Sequence, residues 1–293
     1  MSRKKSRRRP TKPKKSVRSR SRAFFVSFAV SFVVASCAIN PQLLDRIPIG
    51  PILTEIGWSS PAQSPAQVVA TGARIQTSFG QCRQFFPGKQ PPSVPSGPAL
   101  RELCYDAFAI LYSGRTKTPV FVAQRLNRGM LQQAQGISRT DRFFADARLP
   151  RSERAELDDY RGSGYDRGHM APAGDMHTNE AMVQSFSLTN IVPQDAQHNR
   201  EAWSQIEADT RKYVMRARGN VYVFTGPLYI GQPQTIGAGR VAVPTHLFKL
   251  VYDATTGRSW VHWHTNSQNT KVGPPISYEE FVRRTGLQLL ETA

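Results

Sequence analysis

The segment at residues 162–172 restricts the fold of this chain more than any other. It reads GSGYDRGHMAP, and its glycines and final proline break a helix and favour an extended segment that then turns. Residues 186–193 (FSLTNIVP) read as a second short strand that ends at proline. Residues 199–218 contain no Gly or Pro and many good helix formers, which predicts a helix. Two extended segments followed by a helix, with His169 and Asn199 facing each other, are enough to hold one metal ion.

Four side chains of the predicted helix recur every four residues. They are Asn199, Trp203, Glu207 and Arg211. Each step of four overshoots a turn by about 40°, so these side chains lie nearly one above the other. An amide, an indole, a carboxylate and a guanidinium make an unusual core face. Together with an imidazole that accepts a proton and an arginine that holds a phosphate, this stripe predicts metal-assisted phosphodiester hydrolysis.

Several pieces of the chain, in order, resemble one known family. They are DRGHMAP at 166–172, TNIVPQ at 189–194, the four-residue stripe of the helix, and VFTGP at 223–227. This order resembles that of the DNA/RNA non-specific endonuclease family, and the resemblance runs from about Cys104 to Leu290. It implies an α+β fold in which a ββα-metal finger lies on a central, mostly antiparallel sheet. It also implies one Mg²⁺ ion per site, with Mn²⁺ as an alternative, and cleavage of DNA and RNA that leaves 5′-phosphate ends.

The resemblance also implies a role for each matching side chain. His169 matches the general base, Asn199 the direct protein ligand of the metal, and Arg167 the arginine that contacts phosphate. Glu207 matches a carboxylate that orients water at the metal, Asn190 a supporting amide, and Arg211 a further positive group.

Other interpretations of these residues stay open. Asn199 is also a good helix N-cap, and Asp166 either orients the base or belongs to a turn. A zinc site built from His169, His177 and His198 is an alternative, although no Cys accompanies them at zinc spacing.

The first 40 residues have the pattern of a targeting segment. Residues 1–22 hold twelve Lys and Arg and no acidic residue, and residues 23–39 form an apolar run. Three outcomes stay open for this run: it is cleaved, it is retained as a membrane anchor, or it is lipidated. Lipidation is suggested by Val34–Cys37 (VASC), which resembles a lipoprotein signal at Cys37. We therefore expect an exported protein of the periplasm or cell envelope, membrane-attached through this segment or secreted. Export favours a disulfide between Cys82 and Cys104, and leaves Cys37 as the lipidation candidate.

The remaining chain divides by composition. Residues 41–98 are rich in Pro, Gly, Ser, Gln and Ala and are expected to form a linker with at most a short ordered piece near Cys82. Residues 99–293 are long enough for one nuclease domain, whose predicted strands and helices are segregated rather than alternating. The expected substrate is DNA and RNA, and a homodimer is left open. The alternative function is a non-catalytic extracellular surface protein that binds DNA. The net charge of +18 does not distinguish it from a nuclease, because attraction to phosphate serves both functions.

Overall fold

The structure, a computed structural model, describes residues 72–290 of the chain. Within them the strands are β1 (Arg74–Gln76), β2 (Ser93–Pro95), β3 (Leu100–Cys104), β4 (Ala109–Ser113), β5 (Thr118–Leu126), β6 (Asp166–His169), β7 (Ile191–Gln194), β8 (Val221–Leu228), β9 (Thr235–Ile236), β10 (Val241–Ala242), β11 (His246–Asp253) and β12 (Arg258–Thr265). The helices of this region are α1 (Arg128–Ala134), α2 (Leu157–Tyr160), α3 (Asn179–Ser185), α4 (Ala196–His198), α5 (Ser204–Arg216) and α6 (Tyr278–Thr285).

A six-stranded sheet forms the centre of the described part. Its order is β12-β11-β8-β5-β4-β3, and every neighbouring pair is antiparallel. Strands β4, β5, β8 and β11 lie where strands are expected from the sequence, over residues 107–112, 118–124, 221–226 and 247–253. Because successive side chains of a strand point to opposite faces, both faces of this apolar sheet need a cover.

The two faces of the sheet have different covers. Leu111 and Phe121 pack into a cluster with helix α6 and the aromatic residues that precede β2. Their sequence neighbours Ile110 and Val122 pack on the other side with Trp203, at the start of the long helix. Strands β6 and β7 form a separate antiparallel pair, and α4 and α5 follow them. The α+β fold with a ββα unit on a mostly antiparallel sheet is therefore confirmed.

The prediction of a linker that reaches residue 98 is wrong for its described part. Phe79, Phe85 and Phe86 are buried in the core cluster of the sheet, and β1 pairs with β2. Cys82 and Cys104 are joined by a disulfide, with their Cα atoms 5.7 Å apart, which ties this segment to edge strand β3. The linker was predicted from the proline-rich composition, which took no account of these buried phenylalanines. The folded domain therefore begins well before residue 99.

Two element boundaries also differ from the prediction. The helical region begins earlier than residue 199, because the Asp195 side chain caps it by accepting a hydrogen bond from the His198 amide. It ends at Arg216, two residues before the predicted end. The strand predicted over residues 186–193 covers only β7, because residues 188–190 form a single tight turn ahead of it.

The predicted targeting segment lies outside the described residues, as does Cys37. Between residues 72 and 290, none of the helices has the length and apolar character needed to cross a bilayer.

Candidate active site

The hairpin β6–β7 and the helix after it carry most of the predicted site. Asp166 lies opposite Gln194 in the register, and His169 lies opposite Ile191. A side chain at Gly168 would overlap that of Gln194, so only glycine permits this close pairing. The DRGH segment is therefore a strand whose register fixes where His169 emerges.

His169 lies between two phenylalanine rings. Its imidazole centroid is 4.8 Å from that of Phe186 and 5.5 Å from that of Phe143. Burial, and secondarily the positive charge of Arg139, lowers the pKa of His169 to about 3. The Nε2 atom is buried and has no hydrogen-bond partner among the described residues. The ring is therefore neutral at ordinary pH.

Two exposed arginines lie against the same pair of rings. The guanidinium carbon of Arg167 is 4.2 Å from the centroid of Phe143, and that of Arg139 is 5.0 Å from the centroid of Phe186. Stacking of this kind orients a guanidinium while leaving its N–H groups free to donate. Positive charge therefore flanks His169 on two sides. Arg167 was predicted from the sequence, whereas Arg139 was missed because it precedes the motif by about thirty residues in an irregular segment.

Asn199 lies in a wide helical turn, Asn199–Trp203, inserted between α4 and α5. Such π turns interrupt helices most often at functional sites. The Asn199 Nδ2 donates to Asp166 Oδ2 at 3.0 Å, and Arg200 donates to both oxygens of the same carboxylate at 2.7 and 2.9 Å. Because Asp166 accepts from the amide nitrogen, the Asn199 oxygen is left for another ligand. The N-cap interpretation of Asn199 is wrong, since Asp195 is the cap.

Glu207 and Arg211, the last two residues of the predicted stripe, belong to a largely buried group of charged side chains. Burial raises the pKa of Glu207 to about 7, and the positive charge of Lys249 opposes that rise. Arg211 pairs with the buried Asp175 at 3.2 Å. Trp203 is buried in the core. Glu207 and Arg211 thus share one environment, in which the charges partly compensate one another.

Lys249 is a member of this group that the sequence analysis missed. It is 1% exposed, donates from Nζ to Thr225 Oγ1 at 2.8 Å, and lies 5.3 Å from the centroid of the Trp203 ring. Burial lowers its pKa, while the negative charges of Glu207 and Asp175 raise it. A lysine inside the otherwise apolar run LFKLV of β11 was the available signal, since an unpaired buried lysine is costly.

Asn190 is fully buried and holds the chain just beyond the DRGH strand. Its Oδ1 accepts from the Ala171 amide at 2.8 Å, and its Nδ2 donates to the carbonyls of Ala171 and Ser185 at 2.9 Å. The Asn190 carbonyl also accepts from the Met170 amide at 3.0 Å. The residue therefore has the contacts of a positioning amide.

The zinc alternative finds no support in the geometry. The ring nitrogens of His198 face Gln194 and His264, at 3.2 and 3.3 Å. Among residues 72–290 no three His, Cys, Asp or Glu side chains are grouped so that they could hold a metal ion.

Known proteins similar to this chain are nucleases. Endonuclease G, mitochondrial, of Bos taurus is 32% identical over 260 residues, which cover 85% of this chain and 80% of that protein. Nuclease 1, mitochondrial, of Schizosaccharomyces pombe is 34% identical over 174 residues, 55% of this chain but only 54% of the yeast protein. The crystal structure of the EndoG/EndoGI complex, which addresses EndoG inhibition, is similar with a TM-score of 0.62 and 28% identity, covering 73% of this chain and 91% of that one.

These relatives contradict the predicted location. Both curated proteins are named as mitochondrial, whereas the sequence analysis expected an exported protein of the periplasm or cell envelope. A basic arm before an apolar run is a general targeting pattern, and it does not by itself specify export.

The family model described as DNA/RNA non-specific endonuclease matches residues 91–288, which is more than half of the chain. The match includes the strand of His169, the helical turn of Asn199 and all six strands of the central sheet. The chain therefore belongs to the DNA/RNA non-specific endonuclease family, a family of nuclease enzymes.

Proposed function

We propose that this chain is a Mg²⁺-dependent endonuclease that hydrolyses phosphodiester bonds in both DNA and RNA and leaves 5′-phosphate ends. The family is one of metal-dependent nucleases, and Mn²⁺ is the alternative cation. One observation carries the proposal: the neutral imidazole of His169 lies between Phe143 and Phe186, each of which has a guanidinium stacked on it. A protein that only binds nucleic acid needs no such base.

The residues present fit a hard cation. Mg²⁺ takes oxygen ligands and keeps several waters, so a single amide oxygen with substrate phosphate makes a suitable coordination sphere. The Asn199 oxygen is the proposed ligand, because the amide nitrogen is held by Asp166 and Asp166 is in turn held by Arg200. When bound, the cation offsets the negative charge that develops on the phosphate and on the departing 3′-oxygen.

His169 is the proposed general base. Its Nε2 is buried, so Nδ1 is the nitrogen that takes the proton from the attacking water. Arg167 and Arg139 hold the phosphate beside it, since each guanidinium presents N–H donors to phosphate oxygens. The positive charges of Arg139 and Arg167 also keep the His169 ring neutral.

Glu207 and Arg211 are proposed to act from the helix. The ionised form of Glu207 orients water next to the Asn199 ligand, and the positive charge of Lys249 favours that form against the effect of burial. Arg211 remains paired with Asp175 and supplies positive potential from the same helix. Asn190 keeps the backbone after His169 in place. The predicted homodimer, the membrane contact of residues 23–39 and the boundary at residue 40 stay predictions.

The test uses the full chain with supercoiled plasmid and, separately, with structured RNA. We expect both to be degraded in Mg²⁺ and to remain intact in EDTA, with products that a ligase joins without a kinase step. Cleavage that continues unchanged in EDTA contradicts the metal requirement. Products that require a kinase before ligation contradict the assignment of 5′-phosphate ends.

A further inference from the structure

A cavity of about 350 Å³ lies beside the strand that carries His169. Its lining residues come from α2, from the segment after it and from the start of β6. They are Leu157, Tyr160, Arg161, Tyr165, Asp166 and Arg167. Its volume is within the range of small-ligand sites, which begins at roughly 300 Å³.

One side of this cavity is aromatic. Tyr165 is half-buried, and Tyr160 is 6% exposed with its hydroxyl buried away from solvent. Of the two tyrosines, Tyr165 is therefore the one whose side chain is accessible. Every nucleobase has a flat face that stacks on such rings, and this kind of contact does not read base identity.

The other side is positively charged. Arg161 is exposed, and its ion pair with Asp158 at 2.8 Å leaves both side chains more than three-quarters exposed, so an anion can displace it at little cost. Arg167 is exposed and stacked on Phe143. The one acidic liner, Asp166, is neutralised by Arg200. Aromatic surface beside solvent-exposed guanidinium groups suits a nucleotide, which joins a base to a phosphate.

Arg167 connects the cavity to the reaction. Arg167 and His169 alternate with Gly168 on β6, so their side chains lie on the same face, and both contact the Phe143 ring. Arg167 and His169 are two residues apart and therefore about 6.8 Å apart along β6, so one nucleic-acid chain can contact both side chains. A phosphate held between Arg167 and His169 therefore places the neighbouring nucleotide at the cavity.

We propose that this cavity is a subsite for one unpaired nucleotide next to the cleaved phosphate, with its base against Tyr165 and its flanking phosphate on Arg161. This inference rests on the proposed function and adds a substrate class to it. A base inside the cavity has left its stack, so single-stranded or locally opened nucleic acid binds better than closed duplex, with little preference among the bases.

Binding is measured by fluorescence anisotropy with a short labelled oligothymidylate and with a duplex of the same length. All proteins carry His169→Ala, and the buffer contains EDTA, so that nothing is cleaved. We expect Tyr165→Leu to weaken single-strand binding about tenfold and Tyr165→Phe to leave it within about twofold, because the phenyl ring keeps the stacking face. Tyr222→Leu, a half-buried tyrosine on β8, is the matched control.

A second pair of variants does not depend on packing. Arg161→Ala is expected to weaken single-strand binding several-fold, whereas Arg151→Ala, at an exposed arginine ten residues earlier in the chain that does not line the cavity, is expected to leave it unchanged. If Arg161→Ala and Tyr165→Leu both bind as tightly as the parent, the subsite is refuted. Binding is measured without cleavage, so weaker binding by these variants supports the subsite whether or not the wild-type chain cuts nucleic acid. A wild-type chain that cuts nothing would refute only the proposed function.

Discussion

Replacing Asn190 by alanine tests how firmly the site depends on one buried amide. Asn190→Ala removes three side-chain hydrogen bonds, at 2.8, 2.9 and 2.9 Å. It leaves the Ala171 N–H and the carbonyls of Ala171 and Ser185 without their partner. Each buried polar group left unpaired costs about 1–3 kcal/mol, and partial relaxation lowers the sum, so we expect the free energy of unfolding to fall by about 3 kcal/mol.

The same change should reduce cleavage even where the protein stays folded. Ala171 is two residues beyond His169, so loss of its anchor lets the end of β6 move, and a displacement of about 1 Å can cost about 100-fold in rate. Stability is measured by denaturant unfolding and activity by plasmid cleavage at a temperature at which both proteins are folded. Asn179→Ala, at an exposed asparagine, is the control. A stability change below about 0.5 kcal/mol with unchanged cleavage would refute the positioning role.

Three further predictions concern the metal, the charges and the phosphate contacts. Asn199→Ala should raise the Mg²⁺ concentration needed for half-maximal cleavage, and a variant that only melts earlier but cuts normally when folded would contradict the ligand assignment. Burial raises the pKa of Glu207 from 4.5 to about 7. Between pH 4.5 and about 7, Glu207 is therefore protonated in the folded chain and ionised in the unfolded chain. Wild-type Tm should therefore fall relative to that of Glu207→Gln as pH rises from about 4.5 to about 7, and a constant difference would argue against this environment. Arg167→Ala should lower the slope of log Kd against log salt by about one, and an unchanged slope would remove Arg167 from the phosphate contacts.

The local pattern of the sequence predicted the centre of the molecule well. The strands expected over residues 107–112, 118–124, 221–226 and 247–253 correspond to β4, β5, β8 and β11, because short apolar segments indicate the buried strands of a sheet. The helix that carries Glu207 was found from its composition. Its start was placed at residue 199 and not at Ala196, three residues late, because Asn199 and Asp195 are equally good caps by type and only the three-dimensional hydrogen bond to His198 distinguishes them.

The parts that were missed depend on long-range contacts. Phe79 and Phe86 belong to the core, but the prolines and glycines around them have the composition of a linker. Arg139 comes to the site only because Phe186 lies beneath it, and no spacing rule joins these two residues. Lys249 enters the charge group because β11 passes behind the Trp203 ring. In each case a tertiary neighbour, and not the local sequence, determines the role.

The most direct test of the central claim compares wild type with His169→Ala in one plasmid cleavage assay containing Mg²⁺, with binding of the same DNA measured in parallel. His246→Ala, at a histidine whose ring lies 5.5 Å from that of Trp263, serves as the control for loss of an imidazole elsewhere. If His169 is the general base, its replacement should lower the cleavage rate by about 100-fold or more while binding stays near that of wild type. A His169→Ala protein that is folded, binds DNA and cuts within about tenfold of the wild-type rate would contradict the account.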